Sequence, residues 1–530
     1  MASEAQTVIG EASQQRWDWW RFGDGGVLAA YSAVVLWTLQ YHEKWVDEAQ
    51  AWLIARDLDL GTIWFHELRY EGSPGLWHTI LWVAQHVFHA GYGAIGYIGA
   101  AFAIAGAALL LFCAPFPRYI RWPLAFTYVM VYQYAVIARP YTLLPLLAFL
   151  AAYFFKDAKH PGRITTVLVL MCMLTLHGAI LAGCLGLGYA VDAAKGWSRL
   201  DPLLQRRYLL SMVVLICTFG FLIVILRPTP DVGEFATKKE SIQQPNSVRN
   251  LQPGPVQKTE AIISGAFLDY IGPSILFVVV AGVWSAYRRR ISVFVLPVVL
   301  LIVLYAFIHG YPHHHGTVYI ASIVAFWVAW PEPAERERFT PMDLLVEKGM
   351  IFALCCLILV NAFDAAVAIR REFLYPYSGA PDASRFIRGL GADKSTMFGY
   401  LFGVVSVQAF FDHNLFANIP TAYFHHGLPI RGEDLDLDEL HRIKPQFILA
   451  YSVDPQAMMD TGVPLFREQG YELIHFSDGY YLYKRAVYQR ESFFIFRRLP
   501  EELIDPEIEQ RSGGKLYNQD IPRSNGITNR

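Results

Sequence analysis

Charge is scarce in this 530-residue chain. Asp, Glu, Lys and Arg together make up 17% of it and nearly cancel to a net −2. No basic stripe is dense enough to track a phosphate backbone, so nucleic acid is excluded as a partner. Cysteine is sparse too: all six (Cys113, Cys172, Cys184, Cys217, Cys355, Cys356) lie inside apolar runs. They read as small hydrophobes, not as a disulfide framework or a thiolate metal site. A small-residue cleavage site is missing after the first apolar run, and the stretch before it, 15–22, is amphiphilic and Trp-rich. The first helix is therefore expected to stay in the protein. No internal repeat is found.

Apolar residues are abundant: 54% of the chain is hydrophobic and the mean hydropathy is +0.30. Long apolar windows separated by short charged clusters identify a polytopic membrane protein. Windows fall at 27–39, 94–113, 124–137, 141–155, 165–176, 180–191, 209–226, 261–284, 293–307, 318–330 and 345–367, about eleven spans in all. Lys and Arg recur at every second connection, at Arg118 and Arg121, 156–163, 195–207, Arg288 to Arg290, and Arg336 with Arg338. Because cations favour cytoplasmic loops, this alternation places the N-terminus in the cytoplasm and everything after about residue 368 outside. The segment 76–89 carries His78, Gln85, His86 and His89 on roughly one side. An interfacial helix there keeps the parity, whereas a span would reverse every later loop.

The expected organisation is an N-terminal cytoplasmic or interfacial segment over 1–23, a transmembrane catalytic module over 24–370, an extracytoplasmic α/β domain over 378–509 and a polar tail over 510–530. In the third part, 396–402 and 446–453 read as strands and 383–390 as a helix. The alternating stretch 471–485 around Asp478-Gly479 reads as a β-hairpin, since Asp-Gly tolerates a tight turn.

Chemistry-bearing residues gather in the first outer loop. It opens with His42-Glu43-Lys44-Trp45-Val46-Asp47-Glu48, and continues through His66, Glu67, Arg69, Glu71, Ser73-Pro74-Gly75 and His78. A carboxylate near lipid can act as a general base, because partial desolvation raises its pKa. A solvated acidic face is the bland alternative. Arg139, within Ala138-Arg139-Pro140-Tyr141, interrupts an apolar stretch where charge is expensive, and its planar fork suits phosphate. A snorkelling arginine at a helix end is the other reading. His313, His314 and His315 fall on the same side by the charge argument, as phosphate or metal contacts or as a plain interfacial turn. The loop 227–260, with Lys238, Lys239, Arg249 and Lys258, reads as a ligand cover or a connector.

With these residues in order, the sequence resembles the GT-C superfamily of membrane glycosyltransferases, in particular bacterial relatives of the protein mannosyltransferases and lipid A aminoarabinose transferases. Asp47-Glu48 is similar to that family's acidic pair after the first span, Ser73-Pro74-Gly75-Leu76 to its Pro-containing motif, and Arg139 to its arginine at the second outer turn. Many relatives have a basic residue or His followed by Pro-Pro-Leu where this chain has Ser73-Pro74-Gly75-Leu76, so the subfamily and its sugar stay open.

The resemblance implies a mainly α polytopic bundle with a C-terminal α/β domain, set in the inner (plasma) membrane. It implies sugar transfer from a polyprenyl-phosphate-linked donor to a lipid, glycan or protein acceptor at the outer face. Asp47 would be the base with Glu48 in support, and Arg139, Tyr141 and His313 to His315 would contact the donor phosphate. His66, Glu67, Arg69, Glu71 and His78 form the expected substrate loop. Some relatives use a divalent metal (Mg, Mn or Zn), for which Asp47 and Glu48 are the candidate ligands. The rival readings are a multi-span transporter of a polar or lipid-linked substrate, and a scaffold or sensor.

Overall fold

A computed structural model describes residues 22–71, 73–227, 254–307, 311–423 and 435–500. Most of the segment 1–23, most of the loop 227–260, His309 and the tail 510–530 lie outside the described residues. The chain divides into two compact units. One comprises 1–40, 96–223 and 253–369, and the other 41–95, 224–252 and 370–530.

The first unit is helical. Among the described residues, five helices are long and apolar enough to cross a membrane: Phe22–Leu39, Ala94–Cys113, Leu176–Lys195, Pro202–Ile225 and Pro341–Leu374, the last running on into the second unit. A sixth candidate is the pair Pro255–Ala266 and Ile271–Tyr287, bent by 71°. Asp269, at the break, adopts a left-handed φ of 64°, which no helix can continue. Pro202–Ile225 leaves Leu209, Leu210, Ile216 and Ile223 exposed, as a lipid-facing helix does. Three further windows are shorter apolar helices, at Pro140–Phe154, Pro161–Cys172 and Ile291–Phe307. His315–Ala329 is buried along its whole length. At the start of the first helix, Asp24 is buried and accepts hydrogen bonds from Arg121 (2.8 Å) and Trp122 (2.6 Å).

The eleventh expected span, 124–137, is not one continuous helix. A helix over Arg118–Ala125, with Pro123 inside it, stops, and a π-helical turn follows over Val129–Gln133. Irregular backbone at membrane depth survives only where protein covers it. Every residue from 127 to 138 is buried, and Tyr31 donates to the Met130 carbonyl at 2.6 Å.

The second unit contains a mixed four-stranded sheet in the order β1-β2-β6-β3, made of β1 (Met397–Tyr400), β2 (Phe447–Ser452), β3 (Tyr471–Ser477) and β6 (Ser492–Arg498). β1 and β2 are parallel, and the other pairs antiparallel. Alternation puts Met397, Leu449, Tyr451, Phe493 and Ile495 on one face, against the helix Ala380–Leu390. Phe398, Ile448, Ala450, Phe494 and Phe496 lie on the other, with Leu440 and Phe466.

The expected hairpin at Asp478-Gly479 does not form. β3 pairs with β6, and β4 (Tyr480–Tyr483) pairs instead with β5 (Ala486–Arg490), turning at Lys484 with a left-handed φ of 52°. Asp478 accepts from Ser492 Oγ at 2.5 Å rather than closing a turn. Gly479 is required for another reason: a Cβ there would overlap the Ser378 backbone.

Candidate active site

The acidic pair stands in the first turn of the helix Val46–Asp57, where carboxylates complement the positive end of the helix dipole. The two differ in environment. Glu48 is fully buried, and its Oε2 accepts from the Trp45 amide (3.2 Å) and from His42 Nε2 (3.0 Å). The other His42 nitrogen, Nδ1, donates to Glu372 Oε1 at 2.6 Å. Burial alone would lower the His42 pKa, but the Glu48 and Glu372 carboxylates on either side raise it to about 10. His42 is therefore an imidazolium clamped between two carboxylates. Asp47, by contrast, is only half-buried.

The helix start is held from below by the C-terminal part of the chain. Val46 donates its amide to Glu491 Oε1 at 3.0 Å, and Ser406 Oγ donates to the same oxygen at 2.6 Å. Burial, with the nearby Asp47 charge adding to it, pushes the Glu491 carboxyl up to about 7 against the hydrogen bonds that oppose the shift. The Trp45 ring stacks on Tyr481, with centroids 4.4 Å apart, and Glu43 accepts from the Tyr377 amide at 2.7 Å.

The rest of the expected substrate loop is dispersed. His66 is exposed and Glu67 buried, both on the π-helical turn Ile63–Glu67, and Arg69 is half-buried. Glu71 accepts from Gln50 Nε2 at 2.9 Å, tying the loop to the Asp47 helix. His78 is buried on the helix Leu76–His86 with no hydrogen-bond partner on either ring nitrogen, and burial lowers its pKa to about 4. Gly75 precedes that helix because a Cβ there would lie 2.5 Å from the Trp64 ring.

In the first unit, Arg139 sits in extended conformation just before the turn Pro140–Thr142, its guanidinium 5.5 Å from the centre of the Tyr141 ring. Tyr141 stacks on Tyr134 (5.4 Å) and hydrogen-bonds His177 Nδ1 (3.1 Å). His313 and His314 lie 6.2 and 5.9 Å from the same ring, centre to centre, and Tyr305 stacks on His314 at 5.3 Å. Tyr134 donates to the His313 carbonyl at 3.1 Å. Tyr141, His313 and His314 thus lie together, with His177, Tyr134 and Tyr305 beside them; His315 is buried at the start of its own helix.

Compared with solved structures, the chain is similar to ArnT from Cupriavidus metallidurans, both bound to undecaprenyl phosphate (TM-score 0.52, 14% identity) and in the apo state (TM-score 0.50, 13% identity). Each likeness covers 88% of this chain and 97% of ArnT. The chain has the ArnT fold. The expected mainly α polytopic bundle with a smaller C-terminal sheet is upheld. No protein-family profile and no curated protein sequence matches the chain.

On this ArnT-like scaffold, the residues around Glu48 are already engaged with one another: both His42 nitrogens meet carboxylates, Glu372 on one side and Glu48 on the other, and Glu48 Oε2 also accepts from the Trp45 amide, which leaves a poor fit for a divalent ion. Among the described residues, no three His, Cys, Asp or Glu side chains group as metal ligands. In the sequence His42 marks only the start of the loop, with no role, and Glu372 and Glu491 are not singled out. The two acids stand more than 300 residues from the loop they bind, and no local pattern marks them.

Proposed function

We propose that the protein is a membrane glycosyltransferase that moves a sugar from a polyprenyl-phosphate donor to an acceptor hydroxyl or amine. The ArnT-like fold over 88% of the chain carries this reading, since the ArnT structure holds undecaprenyl phosphate. In the step, the acceptor oxygen or nitrogen bonds to the sugar's anomeric carbon, and the bond from that carbon to the phosphate oxygen breaks. The electron pair leaves with the polyprenyl phosphate, and the acceptor proton passes to Asp47. Arg139 neutralises the charge that grows on the departing phosphate, with Tyr141, His313 and His314 lining its surroundings.

Half-burial of Asp47 supports its role as base: the side chain stays reachable while its helix is fixed by Glu491. Glu48 serves as a buried anchor for His42 rather than as a second base. No step is routed through a metal. The Lys and Arg distribution supports a cytoplasmic N-terminus, with the reaction and the C-terminal domain on the outer side of the inner membrane.

The test is transfer in proteoliposomes holding the full chain and an undecaprenyl-phosphate-linked labelled sugar, beside the Asp47→Asn variant. General base catalysis contributes roughly 100- to 10,000-fold, so the variant is expected to lose activity on that scale. Transport of label without a glycosidic product, or unchanged transfer by Asp47→Asn, refutes the proposal. Mass spectrometry of lipids, glycans and secreted proteins from cells lacking the chain identifies the acceptor.

A further inference from the structure

We infer that Glu491, supplied by the C-terminal domain at the corner between β5 and β6, is the positioning residue that fixes Asp47. The inference rests on Asp47 being the base, and it gives the C-terminal domain a part in the reaction.

The geometry is specific. A helix leaves its first amides without intrahelical partners, and they need an acceptor from elsewhere. The Val46 amide, one residue before Asp47, finds it in Glu491 Oε1 (3.0 Å). That oxygen is aligned in turn by Ser406 Oγ (2.6 Å). Glu491's own backbone is locked at both ends: its amide donates to the Gly479 carbonyl (3.0 Å) and its carbonyl accepts from the Gly379 amide (3.2 Å).

The side chain is buried, with the Ser378 and Ser406 hydroxyls beside its carboxyl. A solvent-exposed cap needs none of this. Taking a carboxyl out of water costs stability unless hydrogen bonds compensate it, and here the Val46 amide is among the donors that do. The groups that feel its charge are Asp47, Tyr92 and Tyr451. Asp47 thereby sits on a turn whose backbone cannot rotate independently of the domain.

Carbodiimide labelling of Asp47, followed by peptide mass spectrometry on the full chain in detergent, reads this directly, with Asp57 at the far end of the same helix as internal control. Glu491→Ala removes the acceptor for Val46 and is expected to change the Asp47 labelling rate at least fivefold while Asp57 holds. Glu491→Gln keeps an acceptor oxygen and is expected to stay within twofold of the natural chain. In the transfer assay the Ala variant should lose kcat at least tenfold with donor KM held, and the Gln variant should recover it. If Ala does not accumulate, Glu491→Asp, which withdraws the carboxylate by one methylene, takes its place with the same expectations.

Labelling of Asp47 at the natural rate in the Ala or Asp variant overturns the inference, as does an equal change in the Gln variant. Should Asp47→Asn transfer normally, the base assignment falls, yet the labelling still decides whether Glu491 holds Asp47.

Discussion

His42 Nδ1 lies 2.6 Å from Glu372 Oε1, joining residues 330 positions apart. The contact closes the segment that follows the first helix at its root. Glu372 lies near the end of the helix Pro341–Leu374, and His42 just ahead of the helix that carries Asp47. With Glu48 on the other ring nitrogen, one cation is shared by two carboxylates whose side chains have essentially no exposure. A buried ion group of this kind adds little over an apolar substitute, but losing a single member leaves bare charge in a dry site.

The first prediction follows from that asymmetry. His42→Ala strands Glu48 and Glu372 together and should cost on the order of 3–5 kcal/mol. Adding Glu48→Gln removes one stranded charge and should restore part of the loss. Thermal unfolding in detergent, followed by Trp fluorescence, measures both. A double variant no more stable than His42→Ala would contradict the clamp.

The same group sets a pH dependence. The folded pKa of His42, about 10, lies above its ordinary 6.5, so its stabilisation is full below 6.5 and is lost as pH rises through 10. Glu491, at about 7 against 4.5, has the same sign: full below 4.5, lost as pH rises through 7. His78, at about 4 against 6.5, runs the other way, full above 6.5 and lost as pH falls through 4. Above about pH 8 only the His42 contribution is still changing among these three, so the unfolding midpoint should fall from pH 8 to pH 10. His42→Gln should flatten that slope, and an equally steep slope in the variant would remove His42 as its source.

How much of this the sequence discloses depends on the range of the interaction. Apolar windows reveal helices that stand alone against lipid, such as Ala94–Cys113 and Pro202–Ile225, because hydropathy is a local property. The same windows misread 124–137, whose irregular backbone is apolar because protein buries it. Alternation reveals β1 and β2, but it misplaces the hairpin at Asp478-Gly479. That dipeptide serves contacts with Ser492 and Ser378, which no local pattern contains. Asp47 stands out as a candidate because it follows an apolar helix. Glu372 and Glu491 do not, since a single glutamate at a helix end or strand corner looks like any surface acid.

A steric prediction probes the aromatic and histidine cluster of the first unit. Gly316 follows the three histidines, and a Cβ there would lie 2.7 Å from the Tyr134 hydroxyl. That hydroxyl donates to the His313 carbonyl, and its ring stacks on Tyr141. Gly316→Ala must therefore move Tyr134, and overpacking of this kind costs roughly 1–3 kcal/mol. Tyr134→Leu in the Gly316→Ala background removes both colliding atoms, the hydroxyl at 2.7 Å and the ring carbon Cζ at 2.8 Å, and should recover part of the unfolding midpoint relative to the two single changes added together. No recovery would mean that the strain lies elsewhere.

The last prediction concerns Arg139. Its backbone is fixed by the turn that follows it: the Thr142 amide and hydroxyl both donate to the Arg139 carbonyl, each at 2.9 Å. The guanidinium beside the Tyr141 ring is placed by that turn and by Pro140, so substitution alters the charged group without unfastening the chain. A hydrogen bond to a charged group is worth roughly 1.5–3 kcal/mol. Arg139→Ala should then lower kcat/KM for the undecaprenyl-phosphate-linked donor roughly 10- to 150-fold, with the unfolding midpoint little changed. Lys restores charge but not the planar fork, so Arg139→Lys should fall between Ala and the natural residue. A donor kcat/KM in Arg139→Ala equal to the natural chain's would take Arg139 out of the phosphate site. A drop matched by an equal loss of stability would make it a structural cation.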